Sequence, residues 1–198
     1  TWQHLITGMK LAMGAVYPEC PVAWKEFNID SAAHVSQVLA DYYAKVRRDV
    51  RGNVAFIEAD VVCNKRCDPF DADFDIGIPA CKDRWAMMPY NPGVMFVKDT
   101  PGAQRFLDET MRYATHIPGN FPAWYAYQLA LGHAALALKD EVKIKVFPQE
   151  EYNYNPEIYA PTDAYFIHLK GNRKQLQRDY IVPLIEGKRG RLYVPPCT

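Results

Sequence analysis

The chain has 198 residues, with 23 basic and 23 acidic side chains that leave no formal net charge at neutral pH. That balance argues against a protein that grips nucleic acid or an anionic membrane through net positive charge. No apolar run approaches the roughly 20 residues that span a bilayer, and no signal-peptide pattern opens the sequence. The length suits one domain, 1–198, with a sizeable core. An odd count of five cysteines (Cys20, Cys63, Cys67, Cys81 and Cys197) favours free thiols in a reducing cytoplasm over a disulfide framework. The Cys63/Cys67 spacing has no matching second pair, so zinc is not the expectation there.

In chain order, Trp2, Leu5, Ile6, Met9, Ala12, Met13 and Val16 recur at helical steps and predict an amphipathic helix that Pro18 ends. Pro21 to Phe27 reads as a short strand. Asp30 and Ser31 are N-cap candidates for a second helix, with Ala32, Val35, Val38, Leu39, Tyr42, Val46 and Val50 as its buried face. Its basic end (Lys45, Arg47, Arg48) suits the helix dipole. After Gly52 and Asn53 comes Val54 to Ile57, an unbroken apolar run that fits a strand buried on both faces of a parallel sheet. Glu58 and Asp60 follow at its C-terminal end. In an extended segment, positions i and i+2 point the same way, so both carboxylates face one spot and call for a cation. Ligands in open α/β sheets bind at that end of the strands. The same spacing also fits a strand ending in two solvated acids.

Residues 64–90 lose periodicity and contain Phe70 to Pro79, FDADFDIGIP. The alternating Asp71, Asp73 and Asp75 lack the glycine and glutamate of a calcium loop. Phe74 to Ile78 reads as a short strand, with Asp75 a site candidate or a turn acid. Asn91-Pro92-Gly93 opens a strand at Val94 to Val97. Thr100 and Pro101 start a helix with Ala103, Phe106, Leu107 and Thr110 inward. A further helix runs from near Asn120 to Leu138, and a strand from Val142 to Phe147. A Tyr- and Asn-rich loop reaches Pro161, and Tyr165 to Leu169 is the last strand. A closing helix from about Gln175 is expected to break near Pro183, and 189–198 to lie over the surface as a tail. Alternating helices and strands predict an α/β fold.

The order of motifs resembles the nucleotide-diphospho-sugar transferases. It comprises Glu58-Ala59-Asp60, then DFDIG, then Asn91-Pro92-Gly93-Val94-Met95, and then His168, Gly171 and Lys174 spaced as His-x-x-Gly-x-x-Lys. The likeness extends from the first helix to about Lys174, and is nearest to the glycogenin-like and lipopolysaccharide galactosyltransferase-like retaining enzymes. It implies a single Rossmann-like GT-A-type domain with a mostly parallel mixed sheet flanked by helices. It also implies a base-binding first strand, which would precede Thr1 and has no counterpart there.

By that resemblance, Glu58 and Asp60 stand where the family has Asp-x-Asp, and with His168 they hold manganese or magnesium. Glu keeps the charge of the Asp it replaces, and hard oxygen donors suit either ion. Gly171 would let backbone approach a phosphate, and Lys174, with Lys170 and Arg173 beside it, would neutralise the departing nucleoside diphosphate. Asn91, Gly93 and Asn155 are implied sugar-nucleotide contacts, and Asp75 would sit near donor sugar or acceptor. Gln128 follows Tyr127 where relatives carry Asp-Gln, so it is the polar group implied near the anomeric carbon. His168 also fits a core histidine, Asn91 and Gly93 a plain turn, and Gln128 a helix-surface residue. The implied activity is metal-dependent transfer of a sugar from a nucleotide-diphosphate donor to a hydroxyl of a glycan, lipid or protein. The alternative is a non-catalytic sugar-nucleotide or glycan-binding domain with a degenerate site.

Overall fold

Helix α1 (Trp2–Val16) buries Leu5, Met9, Ala12 and Val16, the stripe that the three- and four-residue spacing predicts. The computed structural model describes residues 2–27, 35–81, 88–117 and 123–185. The expected caps Asp30 and Ser31, the start near Asn120 and the tail 189–198 lie outside them. The remaining elements are α2 (Val35–Asp49), β1 (Val54–Ile57), β2 (Val61–Cys63), β3 (Ile76–Pro79), β4 (Val94–Val97), α3 (Pro101–Ala114), α4 (Ala123–Ala137), β5 (Ile144–Phe147), α5 (Gln149–Tyr152), β6 (Phe166–His168) and α6 (Gln177–Ile185). Among the described residues, no helix is long and apolar enough to cross a membrane.

The chain packs as two units, one of Thr1–Trp24, Glu58–Cys67 and Glu150–Thr198, the other of Lys25–Ile57 and Asp68–Gln149. In the first unit β2 and β6 pair antiparallel, with Val61 opposite His168, Val62 opposite Ile167 and Cys63 opposite Phe166. Ala12, Val62, Ile167, Leu169, Tyr180 and Ile181 close one core beneath this ribbon. Gly8 lets α1 approach α6: a Cβ there would fall 2.5 Å from Ile181 Cδ1. Gln177 uses that closeness to donate to the Leu5 carbonyl at 2.8 Å. Helix α6 continues past Pro183 to Ile185 rather than breaking there.

The second unit is built on a four-stranded sheet of order β1-β4-β3-β5. β4 pairs antiparallel with both β1 and β3, and only β3 and β5 are parallel. The sheet is therefore mixed, as expected, but not mostly parallel. Nor is Val54 to Ile57 a doubly buried parallel strand. It ends the sheet order beside an antiparallel neighbour, and of its residues only Phe56 is buried. Phe74 to Ile78 shifts slightly to Ile76–Pro79, whereas Pro21 to Phe27 forms no strand. Its apolar residues are too few and too interrupted by Pro21, Lys25 and Glu26 to specify a sheet partner.

Strand alternation sends Ile76, Ile78, Met95 and Val97 to a core shared with Ala103, Phe106, Leu107, Ala130, Leu131 and Ala134. Phe96 points to the other face, where Phe70, Phe74, Phe96 and Phe147 meet edge to face or tilted. The expected inward face of α3 is the observed one. That of α2 is rotated by one position: Ser36, Ala40, Tyr43, Ala44 and Arg47 are buried, while Val35, Val38, Leu39, Tyr42 and Val46 flank them. The small Ala40 and Ala44 let neighbouring helices approach, and Tyr43 stacks on Phe56 with centroids 4.0 Å apart.

Arg47, with a side chain only 2% exposed, is what fastens the end of α2 to β1. Its guanidinium donates to the carbonyls of Val50 and Gly52, the latter at 2.6 Å, and pairs with Asp99 at 2.9 Å. Asp99 in turn accepts from the Gly52 amide at 2.7 Å. Carbonyls of the turn that follows α2 are thereby given a donor. Replacing Arg47→Met keeps the stem but leaves these acceptors unmatched. The expected cost is about 2–3 kcal/mol of stability, read as a lowered urea midpoint with an unchanged m-value.

Candidate metal centre

Glu58 and Asp60 do not meet as alternate residues of a strand. β1 ends at Ile57, and residues 58–60 turn, closed by the Val61 amide donating to the Glu58 carbonyl at 3.1 Å. The chain then enters β2, where the Leu169 amide donates to the Asp60 carbonyl at 2.9 Å. This register brings His168 to the acids. Its Nε2 lies 3.4 Å from Glu58 Oε2 and 3.3 Å from Asp60 Oδ1. One donor atom from each of the three residues lies within 4.8 Å of the others.

The other side of β6 is covered by the asparagine-rich loop. Tyr154 bridges to Ile167 in parallel, accepting from the His168 amide at 2.8 Å. Asn153, fully buried, is thus set beside the imidazole, and the His168 Nδ1–H donates to its Oδ1 at 2.9 Å. An amide oxygen only accepts, so it holds the ring proton on Nδ1 and turns Nε2 toward the carboxylates. Asn153 was not singled out from the sequence. Its signal was there in the alternation Asn153-Tyr154-Asn155, which keeps both amides on one side of an extended segment. The Asn155 side-chain Nδ2 donates to the Asn153 backbone carbonyl at 3.1 Å. Asn153 Nδ2 and Asn155 Oδ1 are buried without a protein partner.

Lys174 reaches the centre from the 3-10 turn Gly171–Leu176, its Nζ 3.2 Å from Asp60 Oδ2. Gly171 starts that turn at φ 55°, a left-handed conformation that favours glycine, with open space where a Cβ would lie. Arg173 pairs with Glu157. Burial raises the Glu58 pKa above the usual carboxylate range, against the pull of His168 and with the help of the Asp60 charge. Burial opposes ionisation of Asp60 as well, but hydrogen bonding and charge from His168 and Lys174 outweigh it and hold its pKa low. Two oxygen donors and one imidazole nitrogen around a single point fit a divalent cation of the magnesium or manganese type.

The other sequence candidates belong to the second unit. Asp75 accepts from the Thr100 hydroxyl at 2.6 Å and from the Lys143 amide at 2.9 Å, while Thr100 caps α3 by accepting from the Ala103 amide. Asn91 is buried before β4, and its Oδ1 accepts from the Gly93 amide at 3.3 Å, the pattern of a side-chain-closed turn. Gln128 is buried on α4 rather than at a helix surface, with an Oε1 that has no protein partner. Cys20, Cys63, Cys67 and Cys81 are free thiols, of which Cys63 and Cys67 are buried.

No family model matches the chain, and no curated protein matches it in sequence. In fold it is similar to the crystal structure of a glycosyltransferase involved in the glycosylation of the major capsid of PBCV-1. The TM-score is 0.59 at 15% identity, over 90% of this chain and 94% of that one. At that identity the likeness is one of fold.

Two substitutions separate local architecture from ligand chemistry. Asp75→Ala leaves the Thr100 hydroxyl and Lys143 amide without their acceptor, and is expected to lower stability by about 1–3 kcal/mol in denaturant unfolding. Asn153→Ala frees the imidazole to reorient. If a divalent cation is held by Glu58, Asp60 and His168, the variant is expected to bind it about 10- to 100-fold more weakly in calorimetry, the usual effect of removing the partner of a ligating histidine.

Proposed function

We propose that the chain is a metal-dependent glycosyltransferase of the GT-A type, moving a sugar from a nucleotide-diphosphate donor to a hydroxyl acceptor. The observation that carries this reading is the convergence of Glu58, Asp60 and His168 donor atoms within 4.8 Å. Likeness of fold to a glycosyltransferase supports it, as does the motif order in the sequence. Fold alone would not, since one fold serves many chemistries.

Glu58 and Asp60 would supply hard anionic oxygens and His168 its Nε2, leaving the remaining coordination positions to diphosphate oxygens and water. The bound cation supplies Lewis-acid charge that stabilises the leaving diphosphate. Asn153 keeps the imidazole in the ligating tautomer, so no reorganisation is needed when a cation arrives. Lys174 presents an ammonium at the edge of the centre, where negative charge accumulates as the glycosidic bond to the diphosphate breaks. The acceptor hydroxyl would attack the anomeric carbon as the bond to the diphosphate breaks, its proton passing to the departing diphosphate. Retention of configuration belongs to this reading through the resemblance to retaining enzymes.

Calorimetric titration with UDP and with GDP, each with and without manganese, tests it. Metal-dependent binding of one nucleotide is the expected result, followed by turnover of the corresponding sugar nucleotides. Asp60→Asn is expected to weaken manganese binding by more than about 100-fold. Unchanged binding in that variant would remove the metal centre from the mechanism. His168→Ala should lose metal while the fold stays intact at a somewhat lowered unfolding midpoint, since Asn153 Oδ1 loses its donor, whereas global unfolding would make the histidine a core residue only.

A further inference from the structure

Exposed arginines of the first unit tend to have an acid beside them, as Arg66 has Glu19 and Arg173 has Glu157. Arg178 and Asp179, consecutive and exposed on α6, make no hydrogen bond or ion pair among the described residues. Adjacent helix positions splay apart, so the two do not pair with each other. With Tyr159 and Val182 they line a shallow hollow of about 270 Å³. Tyr159 is 39% exposed, and Ile158 before it is 74% exposed. The loop that carries them is pinned twice. Glu157 pairs with Arg173, while the Tyr180 hydroxyl donates to the Ala160 carbonyl at 3.2 Å and accepts from the Ala160 amide at 3.3 Å. The walls of the hollow are thus set before any ligand arrives.

This lining suits a neutral ligand rich in hydroxyls. An anion would be drawn by Arg178 and repelled by Asp179, and a cation the reverse. A guanidinium only donates and a carboxylate only accepts, whereas a hydroxyl does both, so neighbouring hydroxyls of one ring satisfy the two together. The Tyr159 ring adds an apolar face, ordered at little conformational cost, for the C–H face of a pyranose to cover. The hollow also stands near the metal centre. Arg178 follows Lys174 by four residues, roughly 6–8 Å along turn and helix. Tyr159 follows Asn153 by six residues on the same loop. We propose that this hollow seats a pyranose ring of the acceptor, and that the acceptor is a glycan rather than a peptide or a lipid. The inference rests on the transferase reading of the metal centre, and names the chemical class that brings the hydroxyl to it.

Saturation-transfer NMR without metal or nucleotide tests it. The probes are the methyl pyranosides of glucose, galactose, mannose, xylose, fucose, rhamnose and N-acetylglucosamine, a peptide rich in serine and threonine, and dioctanoylglycerol. Signal is expected from at least one pyranoside, strongest on the protons of one ring face. Its affinity should fall about 3- to 10-fold in Asp179→Ala and in Tyr159→Ala. Tyr159→Phe keeps the ring face and its packing on Tyr180, and is expected to retain binding. Asp179 is exposed, so its replacement reports on the ligand and not on the core. No signal from any pyranoside overturns the proposal, as does signal that survives both Asp179→Ala and Tyr159→Ala. Signal from the peptide or the diacylglycerol alone, lost in those variants, overturns the glycan assignment. Failure of the transferase reading looks different: a pyranoside binds, but neither UDP nor GDP does so with manganese. That outcome overturns the acceptor role and leaves a glycan-binding surface.

Discussion

Two carboxylates that share a partly desolvated spot repel each other, and they stay together only while positive charge lies between or beside them. The first unit is arranged around that constraint. The turn at residues 58–60 delivers Glu58 and Asp60, and the β2–β6 register delivers His168 opposite Val61. The Tyr154 bridge delivers Asn153 to the far side of the imidazole, and the 3-10 turn delivers Lys174 to Asp60. Each is fixed by backbone hydrogen bonds one or two residues away, which is how a site keeps its geometry before a ligand arrives.

The acids of the second unit answer a different need. Asp99 completes the Arg47 knot, and Asp75 ties the Thr100 cap of α3 to the Lys143 amide. These carboxylates spend their lone pairs on backbone amides and on donors of the same unit, so charge is neutralised locally and the sheet and helices are held in register. Glu58 and Asp60 have no backbone amide as partner in the same way. Their neighbours are a histidine and a lysine. That contrast in partners separates acids that build the fold from the acids of the candidate metal centre.

Much of the architecture was legible along the chain. The stripes of α1 and α3, the strands β1, β4, β5 and β6, and the cap at Thr100 follow from spacing and from local chemistry at helix ends, because those signals act within a few residues. The site acids and His168 were legible as well, since their type and order carry the resemblance. What was not legible involved partners distant in sequence. The inward face of α2 turned one position because Ala40, Ala44 and Tyr43 fit the surfaces they meet, and bulk hydrophobicity alone pointed to Val35 and Leu39. The antiparallel pairing of β4 with both of its neighbours is likewise a matter of which strands meet, and a four-residue apolar run does not say.

By itself the sequence determined which residues carry carboxylate, imidazole and ammonium groups in the order that raised a metal site, because charge and donor type belong to the side chain. It determined that α3 begins at Thr100 and Pro101 and which stripe of α1 and α3 turns inward, because those depend on neighbours three or four residues away. Only the tertiary structure decided that Glu58, Asp60 and His168 converge through a turn and an antiparallel register, and that Asn153 holds the imidazole while Lys174 holds Asp60. Those contacts join residues separated by 15 to more than 100 positions. At such separations the partner is chosen by how strands and turns pack, and no local signal encodes it.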